Sequence, residues 1–155
     1  MPDNVWDTSA IVKLYVPERG SDYLRQLGTA AGIVIASITI VEFAAALRRR
    51  AIAGDLTADQ RDLAYQRFLA DAREFSLVES TDAVRNEAAR LLLDEPRIVG
   101  RLRGFDAVQL ATARVWFEAL RRASIEAGAF VVADGALREA ATALGMRVDH
   151  PEEHE

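Results

Sequence analysis

The chain has 155 residues, about one domain's worth. Half of them are hydrophobic, enough for one sizeable core and too many for a disordered chain. The 19 basic and 24 acidic residues give a net charge of −5, which excludes a uniformly basic nucleic-acid-binding surface but leaves a local basic patch open.

Residues 4–7 read as a short strand, and 9–16 as a short helix stopped by Pro17. Tyr23, Leu24 and Leu27 carry helical spacing through 21–30, and the β-branched run 33–36 after Gly32 reads as a buried strand. Ser37 or Thr39 is expected to cap a helix that continues through 42–52 and ends at Gly54. Thr57 and Gln60 match a capping box for a helix to about residue 74, followed by a weak strand at 75–78. Thr81 is expected to cap a helix to about residue 93, with Pro96 as its breaker. A long helical pattern follows Gly104, from Phe105 to about Ala127, and Gly128 ends it. Residues 129–133 form another apolar strand, 136–144 a helix closed by Gly145, and 146–148 a last short strand. Strands apolar throughout and alternating with helices predict an α/β fold, a parallel sheet flanked by helices on both faces. Residues 1–149 are expected to form a single domain, and 150–155 a disordered tail.

Several chemistries are removed by counting. Cysteine is absent, so disulfides, thiolate zinc sites and thiol nucleophiles are excluded. The one lysine, Lys13, lies in no phosphate-binding glycine loop, and both histidines, His150 and His154, sit in the tail. A histidine base inside the folded body is therefore unavailable. The start of the chain lacks the pattern of a secretory signal, and no apolar run approaches the roughly 20 residues of a membrane span. A soluble, cytoplasmic protein without membrane contact is expected.

Most acids lie among polar neighbours and read as solvated helix faces. Asp7, Glu42, Asp106 and Asp134 are instead embedded in apolar sequence. Helix capping or ion pairing with arginine explains any one of them alone. Together they form a pattern, because Asp7 and Asp134 end apolar strands, at the edge where open α/β sheets place their sites, and Glu42 and Asp106 open helices. Like charges gathered in a partly dry cleft need protonation or a cation. With oxygen ligands alone that cation is hard, Mg²⁺ first and Mn²⁺ next, and it suits phosphoryl chemistry.

Four segments carry a resemblance: Val5-Trp6-Asp7-Thr8-Ser9-Ala10, Thr39-Ile40-Val41-Glu42, Leu102-Arg103-Gly104-Phe105-Asp106-Ala107-Val108-Gln109-Leu110-Ala111-Thr112-Ala113, and Phe130-Val131-Val132-Ala133-Asp134. In that order and spacing the chain resembles the PIN-domain ribonucleases, and within them the VapC toxins of bacterial toxin–antitoxin pairs. The resemblance implies a PIN-like three-layer fold and a Mg²⁺- or Mn²⁺-dependent endoribonuclease that hydrolyses RNA phosphodiester bonds. Asp7, Glu42 and Asp106 would match the family's acidic triad, Asp134 its fourth acid and metal ligand, and Ser9 the hydroxyl that supports the metal site. It further implies a small antitoxin partner and a homodimer. Two departures stand out: Gln109 takes a position often held by histidine, and the stretch 116–128 is longer than in compact members.

Among other residues, Arg97, Arg101 and Arg103 precede Asp106 and are candidates for RNA phosphate contact, or for ion pairs with the acids. Arg48, Arg49 and Arg50 read as a solvated face. Thr39, three residues before Glu42, reads as a capping box that would account for both. Gln109 either lines the cleft or packs beside it. Trp6, Phe105, Trp116 and Phe117 read as core or dimer surface. Leu14, Tyr15, Phe43 and Leu47 would line a groove for the antitoxin, unless they are ordinary core. Two rivals remain: a phosphatase with Asp7 as nucleophile, weakened by the lack of an acid at position 9, and a catalytically inactive PIN-like domain that only binds a partner.

Overall fold

The apolar runs form strands and the amphipathic stretches between them form helices in the computed structural model, which describes residues 1–154. In chain order these are β1 (Asn4–Trp6), α1 (Thr8–Tyr15), α2 (Ser21–Ala30), β2 (Ile33–Ala36), α3 (Thr39–Ala53), α4 (Ala58–Asp71), β3 (Ser76–Val78), α5 (Asp82–Leu93), α6 (Gly104–Arg122), β4 (Phe130–Val131), α7 (Gly135–Ala143) and β5 (Val148–Asp149). The strands are all parallel and ordered β3-β2-β1-β4-β5. The chain winds outward from β1 to β3 on one side, then returns to build β4 and β5 on the other. Its topological switch point therefore lies between β1 and β4.

Side chains alternate across each strand, so the three central strands β2, β1 and β4 each feed two cores. Val5, Val34, Phe130 and Val132 face one way, onto Val84, Leu91, Leu110 and Leu137. Trp6, Ile35 and Val131 face the other way, onto Ile11, Leu24, Phe43, Leu47 and Phe68. A sheet buried on both faces is the three-layer α/β arrangement that the apolar strands implied. Gly128 allows β1 and β4 to close: a Cβ there would overlap the Asp3 carbonyl oxygen. The adjoining Ala129 N–H donates to Asn4 Oδ1 at 2.8 Å.

Some boundaries differ from the expected ones. Neither Ser37 nor Thr39 caps α3, whose N-cap is Ile38 with no side-chain bond. Helix α4 stops at Asp71 and α6 at Arg122, because Ala123 leaves the helix and Ser124 turns at φ 56. Strand β5 begins two residues later than expected and ends one later, since Gly145 at φ 72 is still turning the chain.

The tail is a correction. Residues 150–154 are not disordered: Pro151–Glu153 form a 3-10 turn, with Pro151 buried against Gly20. The cause is Lys13, only 6% exposed, whose Nζ donates to Glu152 Oε1 at 2.9 Å and to the Arg19 carbonyl at 2.8 Å. Tyr23 stacks on His154 at 3.9 Å and donates to Asp149 Oδ2 at 2.6 Å. Glu155 lies outside the described residues.

Deleting residues 151–155 leaves the Lys13 ammonium buried with its main anion gone. The expected cost is about 1–3 kcal/mol, seen as a Tm lower by several degrees. Lys13→Met should recover most of that loss in the truncated chain. An unchanged melting curve on truncation would show that the tail contact carries no stability.

Candidate active site

Asp7 is the first residue beyond β1 and the N-cap of α1. Its Oδ2 accepts from the Ser9 N–H at 2.9 Å and from Ser9 Oγ at 2.6 Å. The same Ser9 hydroxyl accepts from the N–H groups of Ala133 and Asp134, each at 3.0 Å. One oxygen therefore joins the corner after β1 to the corner after β4, across the switch point. Asp134 is exposed, and its Oδ1 caps α7 by accepting from the Leu137 N–H at 2.8 Å.

Glu42 arrives from the first turn of α3, beyond β2. The capping box expected with Thr39 is not formed. Glu42 Oε1 instead accepts from Thr8 Oγ1 at 3.1 Å and from Gln109 Nε2 at 2.7 Å. Gln109 is fully buried on α6, and its Nε2 also faces Thr8 Oγ1 at 2.9 Å and Thr39 Oγ1 at 3.0 Å. This amide ties α1, α3 and α6 together beneath the acids. Asp106 is half-buried three residues before Gln109, and its Oδ2 accepts from the Arg103 N–H at 3.1 Å.

The parallel strands bring these corners to one edge. Asp7 is 5% exposed, and burial pushes its carboxyl up to about 7, against the opposing pull of the Ser9 bonds and with a further push from Glu42. Glu42 is also raised, first by burial and then by Asp106, while Gln109, Thr8 and Arg49 oppose the rise. Asp7, Glu42 and Asp106 thus form one repelling set. Asp134 is joined to it through Ser9 rather than by its carboxylate.

The donors fit a hard cation in chemistry, since all are oxygens and no cysteine or body histidine competes. Among the described residues no three acidic or imidazole groups lie close enough to enclose an ion. The arrangement suits an ion that keeps several of its waters and takes only one or two carboxylates directly.

Of the arginines singled out before Asp106, Arg97 is spent on Glu95, with bonds of 2.7 and 2.9 Å. Arg101 and Arg103 are exposed, and among the described residues their guanidiniums have no ion-pair partner. Arg49, read as a solvated face, is exposed and close enough to act on Glu42. Phe43 and Leu47 are 0% and 1% exposed and form core rather than a groove. Phe43 packs on Phe68 at 4.3 Å and on Tyr15 at 5.5 Å. Trp6 is core, whereas Phe105 beside Asp106 is 58% exposed.

The family profile of the PIN domain matches residues 5–141. No curated protein matches in sequence. Among solved structures, VapBC2 from Rickettsia felis bound to a DNA fragment from their promoter superposes with TM-score 0.64 at 11% identity, covering 96% of this chain and 98% of that one. FitAcB from Neisseria gonorrhoeae gives 0.65 at 14%, covering 98% and 99%. DNA-bound VapBC from Salmonella typhimurium gives 0.57 at 17%, covering 97% and 99%. At these identities the likeness is one of fold.

Asp7→Asn keeps the cap shape and removes a buried charge. In the metal-free protein the folded state holds a proton on Asp7 that the unfolded chain has released above its ordinary 3.8, so this group costs stability as pH rises from there to about 7. In chelator at pH 8 the variant should melt at least about 3 °C above the parent, and the gap should close near pH 4. A parent that is the more stable at pH 8 would contradict the electrostatic account.

Proposed function

This chain belongs to the PIN-domain family, and we propose that it is a Mg²⁺- or Mn²⁺-dependent endoribonuclease acting as the toxin of a type II toxin–antitoxin pair. PIN domains are generally nucleases. The observation that carries the reading is the set Asp7, Glu42 and Asp106 at the carboxyl edge of the sheet, with Asp134 held beside it by Ser9.

In this reading one or two of Asp7, Glu42, Asp106 and Asp134 would hold the ion directly, and the others would act on it through its waters. When bound, a divalent ion lowers the pKa of a water and offsets charge on the phosphate. The Ser9 hydroxyl fixes Asp7, and Thr8 and Gln109 fix Glu42 Oε1, which leaves the outer oxygen of Glu42 for the ion. Arg101 and Arg103, exposed and without an ion-pair partner among the described residues, bind RNA phosphates; Arg97 does so only by releasing Glu95. The likeness to the VapBC complexes supports a small antitoxin partner; the charge of the acids favours a cationic side chain from it among them. Exposed Val41, next to Glu42, and half-buried Leu14 and Tyr15 give that partner apolar contacts. The working form is a cytoplasmic homodimer.

A second reading, an inactive PIN-like domain that binds a partner, draws on the cap bonds of Asp106 and Asp134 and on the absence of a closed three-ligand cluster among the described residues. Metal binding separates the two.

Purified protein should cleave RNA with Mg²⁺ or Mn²⁺, lose activity in EDTA and gain little from Zn²⁺, for which the site has no nitrogen or sulfur. Asp106→Ala should lower the rate by at least about a hundredfold while keeping the circular dichroism of the parent. Full cleavage after exhaustive chelation sinks the metal nuclease.

The toxin reading has its own test. Co-expression with the product of a small adjacent gene should give a complex with suppressed cleavage, and induction of the chain alone should arrest growth. Harmless induction with intact cleavage would leave a nuclease that is not a toxin.

A further inference from the structure

A groove of about 880 Å³ runs beside α5 and α6. It ends at Gly128 and Arg147, which lead into β4 and β5. It therefore opens toward the amino edge of the sheet, away from the acids, and shares no residue with them. Its floor is apolar, with Val115, Phe117 and Met146 packed on the core. Its walls are cationic, with Arg90, Arg114, Arg121, Arg122 and Arg147 against Glu87 and Glu118. Five positive and two negative charges leave three in excess, in a chain whose net charge is −5.

The pairing leaves donors to spare. Glu87 is shared by Arg90 and Arg114, and Glu118 by Arg121 and Arg122. Arg114 and Arg122 each spend only Nε on their glutamate. Their terminal nitrogens, and the exposed Arg147 guanidinium, meet no acceptor among the described residues. Guanidinium forks match planar or tetrahedral oxyanions, and three excess charges over an apolar floor concentrate a positive potential there. A site of this size holds one small molecule. Nucleic acid would need a continuous basic track instead of an apolar floor.

We propose that this groove binds a small amphipathic organic anion, with an apolar ring on Val115, Phe117 and Met146 and an oxyanion group on Arg114, Arg122 and Arg147. The proposal does not depend on the nuclease reading.

The test is calorimetric titration of the full chain, without added divalent metal, using 1-naphthyl phosphate, inorganic phosphate, 1-naphthol and AMP. 1-Naphthyl phosphate should bind at least about tenfold more tightly than inorganic phosphate or 1-naphthol, because only it uses both floor and walls. AMP binding as tightly identifies the ring as a nucleobase; AMP binding tenfold more weakly identifies it as a hydrocarbon ring. Arg122→Ala with Arg147→Ala, both at exposed positions, should weaken binding at least about tenfold with an unchanged melting curve. Val115→Trp, which fills the floor, should abolish it, and Asp106→Ala should leave it unaltered. Equal affinity for 1-naphthol, or undiminished binding in the arginine variant, overturns the proposal. A dimer that Arg122→Glu dissociates and that blocks the titration also overturns it, by making the groove a subunit interface.

Discussion

The Ser9 hydroxyl is the join on which the acidic edge depends. It donates to Asp7 Oδ2 and accepts from two backbone N–H groups at the start of α7, so it uses all of its hydrogen-bonding capacity at once. A buried carboxylate at the end of the central strand would otherwise be anchored only by its own helix cap. Through Ser9, the positions of β1 and β4 set the distance between Asp7 and Asp134. Packing of the sheet thereby becomes geometry at the site.

Gln109 does the same for the other two helices. A neutral amide can donate to a carboxylate without cancelling its charge, which a buried arginine or lysine would do. Glu42 thus stays available to a cation while Oε1 is held. The opposite orientation of the amide would set Gln109 Oε1 against the carboxylate. The cost of the orientation present is that Oε1 is buried without a partner among the described residues.

Much of this was legible in the sequence, and the reason is periodicity. The apolar strands and amphipathic helices are local signals, and every expected strand and helix exists, with ends shifted where φ values such as that of Ser124 decide them. The acids stood out because each is embedded in apolar residues, a local signal as well. The network beneath them was not legible. Gln109 reaches Thr8, Thr39 and Glu42 across 101, 70 and 67 residues, and such bonds leave no spacing to read. The Thr39–Glu42 spacing even suggested a capping box, because capping and tertiary bonding use the same residue types. The tail was misread for a similar reason: PEEHE is polar, but its order comes from Lys13, more than a hundred residues away.

Helix α6 links the acidic edge to the basic groove. Asp106 lies in its first turn and Arg121 and Arg122 in its last, so the helix dipole favours both ends. Its 19 residues span about 28 Å, several times the roughly 8 Å screening length at physiological salt. The arginines at one end therefore cannot relieve the repulsion among the acids at the other, nor can the acids satisfy the arginines. Each charge excess must be answered where it stands. At the acidic edge the nearby cations are Arg49, Arg101 and Arg103, all exposed and screened; Arg103 bonds Asp106 only through its backbone N–H, and among the described residues none of the three guanidiniums bonds a carboxylate. Screened charges that make no bond offset little of a buried repulsion. The acids are then set to take a ligand of positive charge, and the groove one of negative charge, at sites too far apart for either to neutralise the other.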